Sequence, residues 1–314
     1  MRPEKSLLFA IVFMLCACSP ESDDAPGALK TSMAAPKEVE EADAPLPYLL
    51  PRTEVIPLTS KSNGVDYELY VHLPAGYEKS DETYPLIVTL DADYQFAIVS
   101  NQADRLSSHG QAPDVVTVSI GYAGDPDDLD AYRRNRTRDY TPVNTDKGGY
   151  GPDIQKLSGG APAFAAFIAE EALPLLEARY RINAKDRVYV GHSYGGLFGA
   201  WLLAAHPDLF HRYIIVSPSL WFNDRMMLDA ANLPGPMARK TYVYLGVGAW
   251  EEQPDRNMGM VSDLNAYAAL IAANHDPNLV VETRVFDDET HASIYPAAFS
   301  TGLRHLYLVM DQDD

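Results

Sequence analysis

The stretch VYVGHSYGGLFGAW, residues 188–201, begins as a β-rich run and ends as a helical one, with Ser193 set among glycines where the two meet. A strand that passes at once into a helix needs a tight reversal, and glycines at 191, 195 and 196 permit backbone angles and close approaches that a side chain forbids. Geometry thus accounts for the glycines but not for the serine. Gly191-His192-Ser193-Tyr194-Gly195 fits G-x-S-x-G, a turn that lifts a serine hydroxyl above a strand end at the N-terminus of a helix. DRVYV before it reads as a strand and LFGAWLLAAH after it as a helix, so the motif stands where a nucleophile needs it.

Further apolar, β-branched or aromatic runs flank this junction: DYELYVHL, PLIVTLD, DVVTVSI, RYIIVSPS, KTYVYLGV and NLVVETRVF. Helical patterns lie between most of them, at 94–108, 161–180, 194–205 and 257–273. Strands alternating with helices imply right-handed crossovers and a mostly parallel central sheet with helices on both faces, an α/β class, with an antiparallel pair at 53–73 on one edge. No internal repeat breaks residues 48–314, which read as one domain. From Gly121 to Gly160 the chain is rich in Gly, Asp, Arg and Pro with weak periodicity. Following a strand, this segment is expected to lie over the edge where open α/β sheets bind ligands.

A serine hydroxyl is a weak nucleophile until a base takes its proton, so the elbow requires a histidine and, usually, a carboxylate to orient it. Both follow in the order Ser, acid, His of the α/β-hydrolase arrangement. The strand TYVYLGV runs into Gly248-Ala249-Trp250-Glu251-Glu252, which offers Glu251 first, then Glu252, then Asp255, or no essential acid. The last strand runs into DDETHASIYPAAF, which offers His291 just ahead of a final helix. His192 reads as a structural neighbour inside the elbow. Arg133, Arg134, Arg136 and Arg138 crowd the irregular segment, where Arg134 and Arg138 are candidates to clamp an anionic or catecholate-bearing substrate. The alternative for these arginines is ion pairing with the nearby DPDDLD. Trp221 and Phe222, after SPSL, are candidates to line an acyl or aromatic pocket, or for the core.

The segments LIVTLDADYQF, RTRDYTPV, VYVGHSYGGLFGAWLLAAHPDLFHRYIIVSPSLWF, YLGVGAWEE and ETHASIYPAAF together resemble the putative-esterase family of α/β hydrolases, over residues 50–310. That family includes trilactone siderophore esterases, S-formylglutathione hydrolases, feruloyl esterases and mycolyl transferases, and the siderophore-esterase branch is the most similar. The resemblance implies an α/β-hydrolase fold and a serine carboxylic-ester hydrolase without metal or organic cofactor, acting on a small-molecule ester. It also implies that the backbone N–H groups of Tyr194 and Asp93 hold the oxyanion. Ala92 stands where the family commonly has glycine, and a glutamate where it commonly has an aspartate. Rival activities on the same machinery are acyl transfer, thioester hydrolysis and peptide hydrolysis; from another class, the chain would be a non-catalytic binding lipoprotein.

At the start of the chain, Arg2 and Lys5 precede the apolar run Leu7 to Leu15, too short to span a bilayer and laid out as a secretory signal. It ends in LCAC, which resembles the bacterial lipoprotein box and singles out Cys18 as the acylated residue of the mature protein. Residues 1–17 are therefore expected to be a lipoprotein signal peptide and residues 18–47, rich in Pro, Ala, Asp, Glu and Ser, a disordered tether. The expected location is the bacterial cell envelope, extracytoplasmic, with the membrane as partner through the lipid alone. Cys16 and Cys18 are the only cysteines, which excludes a disulfide-built fold and a thiolate zinc site. The formal net charge of −19 becomes −20 once Arg2, Lys5 and Glu4 are removed, a balance that argues against nucleic acid as a partner.

Overall fold

The computed structural model describes residues 45–253 and 258–310. The chain divides into a unit ending at Tyr48 and a unit spanning Leu49–Asp314. Of the first, residues 45–48 are described; they are exposed and lack regular secondary structure. The expected signal peptide and nearly all of the expected tether, Cys18 included, lie outside the described residues, as does Asp255.

The second unit is built on an eight-stranded sheet. Its strands are β1 (Thr53–Thr59), β2 (Asp66–His72), β3 (Tyr84–Thr89), β4 (Val116–Tyr122), β5 (Ile182–His192), β6 (Arg212–Val216), β7 (Thr241–Gly248) and β8 (Leu279–Phe286). Their order across the sheet is β1-β2-β4-β3-β5-β6-β7-β8. β2 runs antiparallel to both its neighbours, and every pairing from β4 to β8 is parallel. The expected α/β hydrolase fold and the antiparallel edge pair are thus both observed.

Strand alternation sends successive side chains to opposite faces, and each face builds its own core. Leu86, Val88, Tyr189, Tyr213, Ile215, Val243 and Leu245 belong to one buried cluster. The intervening Ile87, Val188, Val190, Ile214, Val216, Tyr242 and Tyr244 belong to the other. The second face is covered by α1 (Ala92–Ser107) and the C-terminal α7 (Ile294–Leu308). The first is covered by α3 (Ala161–Phe167), α4 (Leu173–Arg179), α5 (Tyr194–Ala205) and α6 (Met260–Ala272). A π-helical turn, Ile168–Ala172, joins α3 to α4 just ahead of Pro174, whose ring denies the helix a donor and crowds the preceding turn.

One element departs from the sequence reading. Within the segment expected to be irregular, Leu129–Asp139 forms an eleven-residue helix, α2. Asp128 caps it, its carboxylate accepting from the amides of Asp130 and Ala131. Its buried residues are Arg136, Thr137 and Asp139 rather than an apolar stripe, so hydrophobic periodicity carries no trace of it.

Candidate active site

β5 ends at His192 and α5 begins at Tyr194, leaving Ser193 alone at the junction with φ 60° and ψ −117°. A non-glycine residue there is strained, and the surroundings over-determine it. The Ser193 amide donates to Val216 O at 3.1 Å, and its carbonyl accepts from Leu197 N and from Ser219 N. Two of the three expected glycine requirements hold. A Cβ on Gly191 would stand 2.3 Å from Gly195 O, and one on Gly196 would stand 2.8 Å from Pro218 Cα. At Gly195 the nearest atom would be Leu90 Cδ1 at 3.5 Å, an ordinary contact, so packing does not demand glycine there.

Glu251 lies in a 3-10 turn directly after β7 and is 3% exposed. Its Oε1 accepts from Ser217 Oγ at 2.6 Å and from Gly248 N at 2.8 Å, which leaves Oε2 for His291 Nδ1 at 2.5 Å. His291, on the loop between β8 and α7, is half-exposed. Glu252 turns the other way. Its carboxylate accepts from the Val261 and Ser262 amides at the start of α6, and from Ser262 Oγ. Burial opposes charging there, but those hydrogen bonds outweigh it and hold the Glu252 carboxyl below the usual glutamate range. Of the described candidates for the acid, Glu251 is the one bonded to His291 and Glu252 is not.

A cavity of about 670 Å³ holds Ser193 and His291 in its wall together with Tyr194, Ser219, Trp221, Asn223, Asp224 and the loop from Lys147 to Gly151. Ser193 Oγ lies 3.4 Å from Ser219 Oγ. Trp221 is a cavity residue, whereas its neighbour Phe222 is core. Gly148, Gly149 and Gly151 all have positive φ, and a Cβ on Gly149 would fall 2.2 Å from the Tyr194 hydroxyl. At Gly149 the loop can pack against the elbow residue Tyr194 only because no side chain stands there. Sequence reasoning placed this segment over the sheet edge without singling out Lys147, Tyr150, Ser217 or Ser219. The glycine cluster KGGYG was the available signal for the loop; the two serines, scattered after β6, offered none.

Arg134 and Arg138, the expected clamps, do not line this cavity. Arg138 donates to both oxygens of Asp139 and to Asn135 Oδ1. Arg134 sits exposed, 4.0 Å from Asp128. The arginine that does reach the elbow is Arg136. It is 3% exposed and donates through Nε and Nη2 to the two oxygens of Asp91, through Nη1 to Tyr150 Oη, and through Nη2 to the carbonyl of His192. Burial alone would lower its pKa, but Asp91 outweighs burial and raises it well above the ordinary value, so the guanidinium stays charged. Removing one member strands the other's charge. Arg136→Met is therefore expected to cost about 3–5 kcal/mol in urea unfolding, whereas the exposed Arg134→Met should stay within about 0.5 kcal/mol.

His192 packs its ring against that of His291, centroids 4.5 Å apart. Burial, then His291 and Arg136, push its pKa well below the usual histidine range, which keeps this neighbour of His291 neutral. Tyr194 opens α5 and Asp93 is the second residue of α1, whose N-cap Asp91 accepts from the Tyr94 and Gln95 amides. A helix leaves its first amides without intrahelical acceptors, and both helices start from adjacent parallel strands, β5 and β3. The Asp93 side chain is exposed and not part of the cavity wall.

A family model described as Putative esterase matches residues 60–268. The chain is 28% identical over 266 residues to the ferri-bacillibactin esterase BesA of Bacillus subtilis, covering 82% of this chain and 90% of the relative. It is 30% identical over 228 residues to the apo-salmochelin esterase of Escherichia coli O6:H1, covering 70% and 68%. The crystal structure of the BES protein from Bacillus cereus superposes with a TM-score of 0.72 at 26% identity, over 83% of this chain and 97% of that one.

Proposed function

Because the chain belongs to the putative esterase family and is a carboxylic-ester hydrolase akin to the siderophore esterases, we propose that it works through an acyl-enzyme on Ser193, with siderophore esters as substrates. The observation that carries the mechanism is that Ser193 and His291 share one cavity wall while Glu251 holds the far nitrogen of His291. In this scheme Ser193 Oγ adds to the ester carbonyl carbon as its proton passes to His291 Nε2. The carbonyl oxygen becomes an oxyanion, for which the Tyr194 and Asp93 amides are the proposed donors. The C–O bond to the alcohol then breaks, and His291 returns the proton to the departing oxygen. Water, deprotonated by His291, attacks the acyl carbon; the acid leaves and Ser193 Oγ regains its proton. In this scheme Ser193 Oγ turns from Ser219 toward His291 as substrate is engaged.

Siderophore esters are favoured by the relatives named for them and by a cavity roomier than a simple acyl group needs. Contacts away from the scissile bond can be used to stabilise the transition state, so a cyclic tri-ester should be cleaved with a higher kcat/KM than a short-chain aryl ester. Assaying the domain from residue 48 on a trilactone, a feruloyl ester and p-nitrophenyl esters tests this; faster turnover of the aryl or feruloyl esters would remove the substrate assignment.

We further propose that Cys18 is acylated and tethers the enzyme to the extracytoplasmic side of the bacterial envelope. LCAC supports this, and no helix among the described residues is long and apolar enough to cross a membrane. If the acyl chains supply the membrane affinity, Cys18→Ser should move the protein from the membrane to the soluble fraction. Retention of that variant on membranes, with no lipid in its mass spectrum, would exclude this anchor.

A further inference from the structure

An iron chelate built from three catecholates is trianionic, whereas one built from three hydroxamates is neutral. The charges around the cavity bear on which of these the enzyme takes, provided that siderophore esters are its substrates. The cations at and beside the rim each face a carboxylate of their own. Lys147 Nζ lies 3.0 Å from Asp224 Oδ2, Arg133 Nη1 lies 3.4 Å from Asp130, Arg225 Nε lies 2.6 Å from Asp263, and Arg136 is held by Asp91. The rest of the cavity wall joins Tyr150, Tyr194 and Trp221 to glycines, serines, Asn223 and His291, with no further acidic or basic side chain among the described residues. Tyr150 meets Tyr194 edge-on at 5.8 Å, and Trp221 lies 5.9 Å from the same ring.

Beyond the rim the field is negative. Between positions 45 and 310 there are 33 acidic residues against 21 basic ones. Asp93, the second residue of α1, has its carboxyl pushed above the usual range by partial desolvation and then by the charges of Asp91 and Glu68. A trianion entering here meets a surface of net negative charge, and at the cavity mouth each of the four described cations named above has a carboxylate beside it, while a neutral chelate meets aromatic faces at no electrostatic cost.

We infer that the site selects uncharged ester chelates, such as a neutral ferric trihydroxamate ester or an iron-free trilactone, over trianionic ferric triscatecholates. At an ionic strength of ~0.01 M the Debye length is about 30 Å, so the repulsion reaches across the domain; at ~1 M it is about 3 Å and is confined to contact.

The experiment measures kcat/KM for four compounds: a tris-catecholate trilactone with and without Fe(III), and a trihydroxamate triester with and without Fe(III), each from 10 mM to 1 M NaCl. The ferric catecholate should fall at least about tenfold below its iron-free form at the lowest salt, and most of that gap should close as salt rises. The hydroxamate pair should differ little and respond weakly to salt, which separates charge from any effect of the metal on shape. Equal rates for both catecholate forms at low salt would overturn the inference. So would a ferric catecholate rate that falls with salt, the behaviour of an attracted anion. If none of the four is cleaved while p-nitrophenyl butyrate is, the siderophore assignment itself fails, a result distinct from either of those.

Discussion

Ser193→Ala is expected to lower turnover of any ester substrate by on the order of 10⁶ while leaving the fold in place, as losing the nucleophile does in other serine hydrolases. The main-chain bonds that hold residue 193 in its strained conformation run from its amide to Val216 and to its carbonyl from Leu197 and Ser219, and none uses the hydroxyl. Among the described residues its hydroxyl makes a single hydrogen-bond contact, the 3.4 Å approach to Ser219 Oγ. Unfolding free energy should therefore change by no more than about 0.5 kcal/mol. Turnover and urea unfolding, measured on the same preparation together with fluorophosphonate labelling, make the test. Near-normal turnover in a variant free of contaminating esterase would end the assignment of Ser193, and loss of both activity and stability would show a structural role instead.

Glu251→Gln should cost about 10⁴ in turnover, less than the serine, through the tautomer of His291. One oxygen of Glu251 accepts from both Ser217 Oγ and the Gly248 amide. The amide N–H of Gly248 cannot rotate away, so a glutamine must keep its oxygen there and turn its NH₂ toward His291 Nδ1. That nitrogen must then accept, which puts the ring proton on Nε2, where it cannot take the proton of Ser193. Glu252→Gln, by contrast, should leave turnover within about twofold and remove up to ~1 kcal/mol of stability, because Glu252 caps α6 instead of touching His291. The charged part of that contribution is small, because solvent screens this exposed site; the lowered carboxyl pKa makes it fully present above the ordinary glutamate range and lost as pH falls through the lowered value. Reversed effects in the two variants would shift the orienting role to Glu252, and two silent variants would indicate a Ser–His dyad.

Much of this architecture is legible in the chain because it is written in local code. The strands of the parallel sheet are short apolar runs between helical patterns, and the elbow declares itself through glycines that stand where strand and helix backbones nearly touch, as Gly191 does against Gly195 O. Ser193, Glu251 and His291 could be named in order because each follows directly on the C-terminal end of a strand, and parallel strands bring those ends to one edge. Tertiary structure decided what depends on partners far apart in sequence. Four arginines within six positions look alike in a string, yet Arg136 turns inward to Asp91, 45 residues away, while Arg134 and Arg138 turn to neighbours on their own helix or its cap. Glu251 and Glu252 are adjacent, and only the 3-10 turn after β7 aims one at His291 and the other at the start of α6. Which side chain meets which charge is set by how helices are rotated against the sheet, a quantity fixed by packing over the whole core and carried by no single stretch of residues.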